Sequence, residues 1–325
     1  LKNHRALGPV THSLLKFGNT KIFMEKKTAF VKDWGAVLRV NKGRIECSVK
    51  GQVKWSLSPA EVSSIVFLVT SSLSTEVIKL ANEFGIELVF FDRGEPIAKV
   101  VHANYSGSMK LWLKQVREAR KDPAKYARQF IYGKLHNQWV TVHYYEKKYG
   151  MGLGGDELTQ LSREVLTAGT VGEVMQKEAQ GAKIYWKAVK KLVPSTLGFK
   201  GRRKKVAQSE ENLDLFNKAL NIGYSMLRKE VWGAVISAGL NPYVGFLHKY
   251  RPGRISLVFD LMEEFRSPFV DRPLIGLARE NPEALKDLKK VYSTFIFDSD
   301  VIYTQARRLA NSLLQGEEYR PFMAK

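Results

Sequence analysis

The residues of this chain able to do chemistry crowd into its second half. The stretch G239-L-N-P-Y-V-G-F-L-H248 ends on a histidine, and S256-L-V-F-D260-L-M-E263-E-F265 follows with two acids three residues apart. Glu178 lies upstream in E178-A-Q-G-A-K-I-Y185-W. Glu178, His248 and Glu263 together offer one imidazole and two carboxylates, a donor set suited to a hard or borderline divalent cation, and such an ion can drive phosphoryl chemistry. Each residue also has a plainer reading. A lone histidine beside aromatics is usually hydrogen-bonded core or surface, two acids on a helix usually face water, and Glu178 could pair locally with Lys183's turn. What raises Asp260 and Glu263 above that reading is their setting among Leu, Val, Met and Phe, where an uncompensated carboxylate is costly.

Helices and a loop must place these groups. A helix leading to the histidine is expected to start at Ser209 as N-cap, with Leu213, Phe216, Leu220, Leu227 and Ala234 at helical intervals until Gly239 and Pro242 end it. His248 then falls in or just before the loop H248-K-Y-R-P-G-R254. In the next helix Leu257, Val258, Leu261, Met262 and Phe265 form the apolar face, and Asp260 and Glu263 neighbour each other on another face, able to point at His248.

The first hundred residues have a different pattern. Ala36 to Val40 and Arg44 to Val49 flank the turn N41-K-G43, and Ile86 to Phe91 and Pro96 to Val101 flank D92-R-G-E95, two hairpin signals. Ser64 to Val69 reads as a buried strand, and S74-T-E-V-I-K-L-A-N-E-F-G85 as a short helix between Ser74 as N-cap and Gly85 past its end. From about Gly107 the apolar spacing turns helical, through Trp112, Val116, Phe130, Leu135, Trp139 and Val142. The expected class is therefore α+β: a β-rich N-terminal domain over 1–102, a linker over 103–109 and a larger α-helical domain over 110–325.

Charge names the partner class. Fifty-two Lys+Arg against 32 Asp+Glu give a formal net charge of +20, so a polyanion is the default partner. No apolar run approaches the roughly eighteen residues that a membrane span needs, and no leader pattern is visible, which points to a soluble, cytoplasmic protein with no membrane role. The single cysteine, Cys47, rules out an internal disulfide and a thiolate zinc site, and reads as a small buried strand residue. The densest basic run is K200-G-R-R-K-K205, and Lys187, Lys190 and Lys191 follow Glu178. Lys187, Lys190, Lys200, Arg202, Arg203, Lys204, Lys205 and Arg254 are the candidate contacts to a DNA backbone, whose binding is driven largely by counterion release. The residues by themselves lead to metal-dependent phosphodiester chemistry on nucleic acid.

Longer strings sharpen that reading. N217-x-x-L-N-x-G223-Y-S-x-L227, G239-L-N-P-Y-V-G-F-L-H248, S256-L-x-x-D-L-M-E-E-F-R266 and E178-A-Q-G-A-K-I-Y-W resemble the CRISPR-associated endonuclease one family, the integrase of CRISPR spacer acquisition. The N-terminal strings L-S-P-A-E-V-S-S-I-V and S-T-E-V-I-K-L-A-x-x-x-G-I-E-L-V-F-F-D carry the likeness over nearly the whole chain. The resemblance implies that Glu178, His248 and Glu263 hold Mg2+ or Mn2+, with Asp260 counted among the catalytic residues as a second-shell or auxiliary ligand. Many family members carry Asp where this chain has Glu263. The resemblance further implies attack of a protospacer 3′-hydroxyl at the CRISPR repeat, and nuclease and branched-DNA disintegration activity in isolation. It implies double-stranded and branched DNA as substrates and a homodimer built through the β-rich domains. Two such dimers would be bridged by a dimer of a small ferredoxin-like CRISPR-associated partner into a heterohexamer.

Other signals carry less. Gly150, Gly152 and Gly155 satisfy G-x-G-x-x-G, but H143-Y-Y-E-K-K-Y149 before them reads as a helix end, so an interhelical loop is expected rather than a dinucleotide site. No G-x-S-x-G, H-E-x-x-H or G-x-x-x-x-G-K-[ST] is present. Tyr185 and Tyr224 are expected as core aromatics with satisfied hydroxyls, and Arg266 and Asn217 as supports. The tail Y319-R-P-F-M-A-K325 carries no motif. Two other classes remain open: a catalytically idle DNA-binding scaffold, and a zinc hydrolase of small anionic substrates.

Overall fold

Short turns that demand positive φ organise the first part of the chain. The computed structural model describes residues 26–100, 107–203 and 213–325. Strands β1 (Lys27–Val31), β2 (Ala36–Asn41), β3 (Arg44–Val49), β4 (Gln52–Leu57), β5 (Val62–Phe67), β6 (Ser71–Leu73), β7 (Glu87–Asp92) and β8 (Glu95–Lys99) form two four-stranded sheets ordered β1-β5-β7-β8 and β4-β3-β2-β6. Three hairpins turn on two residues each. Lys42 and Gly43, Lys50 and Gly51, and Arg93 and Gly94 all have positive φ, the conformation that matches the right-handed twist of paired strands. The first and third are the expected hairpins, and the second was not anticipated. Helix α1 (Thr75–Phe84) ends as expected on Gly85 at φ 66°, and Ser74 is its N-cap position, although its side chain makes no cap hydrogen bond. Cys47 is buried in β3, within a core of its own that includes Leu38, Ile45, Ile65, Val77 and Leu88.

The rest is helical: α2 (Gly107–Lys121), α3 (Pro123–Tyr149), α4 (Asp156–Val165), α5 (Val171–Leu192), α6 (Leu215–Ser237), α7 (Ser256–Met262), α8 (Arg272–Glu280), α9 (Leu288–Thr294) and α10 (Ser299–Gln315). Residues 103–106 of the expected linker lie outside the described residues, and its last three already belong to α2. The helix before the histidine starts later than expected. Asp214, not Ser209, is its N-cap and accepts from the Asn217 N–H at 2.8 Å; Ser209 lies outside the described residues. The glycine-rich stretch after α3 is the expected interhelical loop. Gly150 caps α3 at φ 63°, and Glu146 accepts from the backbone N–H groups of Leu153 and Gly154. The helical part closes around a second core, against which the β-rich part docks through α6 and α10. Glu95 pairs with Arg228 at 2.9 Å, Phe30 packs edge-on to Tyr303, and the Phe91 ring lies where a Cβ on Gly233 would sit. Among the described residues no helix is long and apolar enough to cross a membrane.

Candidate active site

The nominated acids and histidine come from three elements of the helical part, with Glu178 and Glu263 joined through Lys134 and His248 acting on the charge of Glu263, and each has a local reason for its position. Glu178 is on α5, held against α3 by close helix contact. Gly181, less than one turn further on, leaves so little room that a Cβ would lie 2.2 Å from Leu135 Cδ2, and Lys134 is the neighbour of that leucine. His248 ends the loop after α6, which Gln115 of α2 clamps from one side. The Gln115 amide donates to the carbonyls of Asn241 and Val244 at 2.9 and 2.6 Å and accepts from the Asn241 N–H at 3.0 Å.

The other side of that loop is fastened by Asp260. Its Oδ2 accepts from the N–H groups of Phe246 and Leu247 at 2.6 and 2.9 Å; its Oδ1 accepts from the His248 N–H at 3.0 Å and lies 2.6 Å from His248 Nδ1. Gly245 is obligatory for this wrap, since a Cβ there would lie 2.8 Å from both Asp260 Oδ2 and the His248 carbonyl oxygen. A carboxylate has about four acceptor sites, and Asp260, fully buried, has all of them engaged. Of the two roles expected for Asp260, the geometry fits the supporting one behind a metal ligand: its oxygens are all engaged, and it positions His248. With Nδ1–H donating to Asp260, the imidazole presents the lone pair of Nε2, the tautomer a metal ligand needs.

Glu263 caps the end of α7, where the expected regular helix breaks. Residues 263–265 form a turn, and Ser267–Asp271 make a π-helical turn before α8, the kind of irregularity that often marks functional sites. Glu263 is 7% exposed, and the Lys134 ammonium lies 2.9 Å from its Oε2 while also bonding Glu178 Oε1. Arg266 Nε stands 3.2 Å from the same oxygen, with its guanidinium over the Tyr224 ring. Burial works against ionisation of Glu263, but Arg266, Lys134 and His248 hold its carboxyl down at about 2. Burial works likewise against the Lys134 charge, and Glu263 and Glu178 hold it above the ordinary lysine value. The acids are thus compensated by the chain's own cations, which sequence burial arguments could not distinguish from compensation by a metal.

The donor set fits a divalent ion in kind. Two carboxylates share one cation, Nε2 of His248 has no partner among the described residues, and Glu263 Oε2 makes no hydrogen bond there despite its two ion pairs. Among the described residues no three His, Cys, Asp or Glu side chains already converge as a metal cluster, because the Lys134 ammonium lies between the acids.

Behind the acids runs a buried polar array absent from the sequence reading. Tyr185 and Tyr224, core aromatics as expected, donate to Asp271 at 2.9 and 2.5 Å, and Ser267 links Tyr185 to Thr141. Burial pushes both phenols well above their ordinary value, which removes them as nucleophiles. Burial also pushes the Asp271 carboxyl up to about 6 against the pull of the tyrosines, Arg202 and Arg266. The folded state therefore holds a proton that the unfolded state has lost. This contribution, about 3 kcal/mol, is present below about pH 4 and lost as pH rises through about 6. Thermal unfolding across that window should fall less steeply in Asp271→Asn than in the parent. Glu264, pushed by burial to about 8, works in the same direction in both proteins.

The candidate DNA contacts separate. Lys187, Lys190, Lys200 and Arg203 are exposed. Lys190, Lys191, Lys200 and Arg279 line a cleft of about 550 Å³, roughly 18 Å along α5 from Glu178 at 1.5 Å per residue. Arg202 turns inward to Asn217 and Asn221 and lies over Tyr224, and Arg254 lies over Phe259. Asn217 supports this region, as expected, by accepting from Arg203 N–H and donating to the Gly201 carbonyl. Lys204 and Lys205 lie outside the described residues.

Residues 29–301 match the family model for CRISPR associated protein Cas1. The chain belongs to the Cas1 family. The CRISPR-associated endonuclease Cas1 1 of Saccharolobus solfataricus is 62% identical over 303 residues, 93% of this chain and 85% of that protein. Among solved structures, a casposase bound to integration product superposes with a TM-score of 0.74 at 21% identity, covering 91% of this chain and 98% of that one. A partial Cas6-RT-Cas1–Cas2 complex gives 0.73 at 16% identity, covering 93% and 100%. These likenesses confirm the fold of a β-rich part followed by a helical part that Cas1 proteins share.

Proposed function

We propose that this Cas1 protein is a metal-dependent DNA endonuclease and integrase of CRISPR adaptation. It joins protospacer 3′-hydroxyl ends to the CRISPR repeat by transesterification, and has nuclease and branched-DNA disintegration activity in isolation. The observation that carries the reading is that Glu178 and Glu263 meet on one ammonium while His248, its Nε2 freed by Asp260, acts on the charge of Glu263, in a chain of net charge +20. Glu178, Glu263 and His248 would hold Mg2+ or Mn2+, which when bound polarises the scissile phosphate and activates a hydroxyl or water. Arg266 offsets the charge of Glu263 from behind, and Asp260 and Gln115 keep the histidine loop from drifting. Lys187, Lys190, Lys200 and Arg203 offer exposed charge to the DNA backbone. The phosphodiester is exchanged rather than lost: a phosphorus–oxygen bond to the incoming 3′-oxygen forms as the bond to the departing 3′-oxygen breaks. No external energy source is needed.

The working assembly in this proposal is a homodimer through the β-rich domains, with two dimers bridged by a dimer of a small ferredoxin-like CRISPR-associated partner. The Cas6-RT-Cas1–Cas2 complex among the structural likenesses supports the involvement of a second CRISPR-associated protein. Cleavage and strand transfer on branched DNA with Mn2+, Mg2+ or chelator, in parent and His248→Ala, test the site. Activity should require the metal and fall by about 1,000-fold in the variant while DNA binding is retained. Activity indifferent to both would instead make the protein a DNA-binding scaffold.

A further inference from the structure

We propose that Lys134 is a built-in competitor of the metal: its ammonium holds the place between Glu178 and Glu263 in the metal-free protein and must leave it when a divalent ion enters. The inference rests on the metal reading above and names the event that loads the site.

Charge balance supplies the first argument. Glu178 and Glu263 carry two negative charges, and Lys134 and Arg266 two positive ones, all within one group of contacts. The cluster is neutral as it stands, and the Lys134 side chain is only 11% exposed. A divalent ion added beside an unmoved ammonium would place three like charges together in a poorly solvated site, where repulsion is barely screened. The ion and the ammonium therefore exclude one another.

Packing decides which partner moves. The backbone of α3 is pinned on both sides of Lys134. A Cβ on Gly133 would lie 2.8 Å from Pro321 Cβ, and Leu135 fills the space over Gly181. Next along α3, Asn137 is tied by its amide to the carbonyls of Glu264 and Phe322 at 2.7 and 2.9 Å. Arg266 is fixed by Glu263 and stacks on Tyr224. Lys134 alone combines a fixed backbone with a flexible four-carbon stem and a compact charge, so it can leave by rotamer change without moving the helix. Its partner Glu178, with a side chain 29% exposed, marks the open side of the cluster. An ammonium displaced that way stands where an incoming phosphate would meet it. Metal loading then converts Lys134 from a counter-ion of the protein into a counter-ion of DNA, and apparent metal affinity is coupled to DNA.

Mn2+ titration by calorimetry, without DNA, reads this directly. Lys134→Met removes the charge while keeping the stem, and should bind Mn2+ at least tenfold more tightly than the parent. Lys134→Gln, which keeps donors for both acids and so guards against misfolding, should shift the same way. Lys183→Met, removing an exposed lysine from α5, should stay within twofold and so excludes general charge repulsion as the cause. The midpoint of thermal unfolding without metal should fall in Lys134→Met, and added Mn2+ should raise it more than in the parent. Unchanged or weaker Mn2+ binding in both Lys134 variants, with normal binding in the parent, overturns this inference and leaves the metal reading standing. A parent that binds no Mn2+ overturns both.

Discussion

Replacing Asp260 with alanine is expected to silence DNA cleavage as completely as losing His248, and to destabilise the protein as well. The two effects have separate causes. Three backbone N–H groups and one imidazole N–H converge on this carboxylate, which is fully buried. Each orphaned buried donor costs about 1–3 kcal/mol, and breaking a buried charged contact from one side costs about 3–5 kcal/mol in all. The loop from Gly239 to His248 would still be held by Gln115 at Asn241 and Val244 and by Phe246 against Tyr126, but the N–H groups of its last three residues would have no acceptor. His248 would also lose the acceptor that keeps its Nε2 lone pair free. His248→Ala, in contrast, leaves the three backbone contacts intact, so its stability should stay within about 1 kcal/mol of the parent. Denaturant unfolding and cleavage of branched DNA, measured on both variants, separate the roles. An Asp260→Ala protein of parental stability, or one retaining metal-dependent cleavage, would remove Asp260 from the positioning of His248.

The difference between these two residues shows where the sequence was readable. A histidine followed by acids at short spacing announces chemistry. Whether Asp260 points at a metal or at three amide groups depends on a loop conformation that Gly245 permits and no residue pattern specifies. The hairpins at Lys42-Gly43 and Arg93-Gly94 were legible because glycine at a positive-φ position flanked by strand residues leaves few alternatives. Lys50-Gly51 has the same chemistry, and β4 behind it alternates polar and apolar residues from Gln52 to Leu57, so this hairpin was open to the same reading as the other two. Lys134, in contrast, was invisible. A lysine among helical residues reads as surface, and its acid partners come from other elements, one of them 44 residues away. Asp271 and Glu264 escaped in the same way, since burial of an acid is decided by what packs over it. Periodicity likewise could not foresee that the helix carrying Asp260 breaks before Glu263.

The segment after α10 covers one of those acids, and deleting residues 318–325 is expected to cost about 4–8 kcal/mol, much of a typical domain's stability. Tyr319 is 2% exposed, packs against Phe130 and Tyr126, and donates to Glu264 Oε1 at 2.6 Å. The Phe322 N–H donates to Glu264 Oε2 at 2.7 Å, and its ring stacks on Phe265 and Phe269. Gln305 donates to the Arg320 carbonyl at 2.8 Å, and Asn137 both donates to the Phe322 carbonyl and accepts from the Ala324 N–H. Removing the segment exposes an aromatic cluster and strips partners from Glu264, Gln305 and Asn137 at once. Because Glu264 follows Glu263 and Asn137 lies one turn from Lys134, the loss should reach the candidate active site as well as the core. Tyr319→Phe keeps the packing and removes only the hydroxyl contacts to Glu264 and Gln305, so it should cost about 1–2 kcal/mol. Denaturant midpoints of the two variants give the comparison. A truncated protein as stable as the parent would mean that the segment merely rests on the helical domain, whereas a large loss from truncation with a small one from Tyr319→Phe assigns the stability to packing over α3 and the turns after α7.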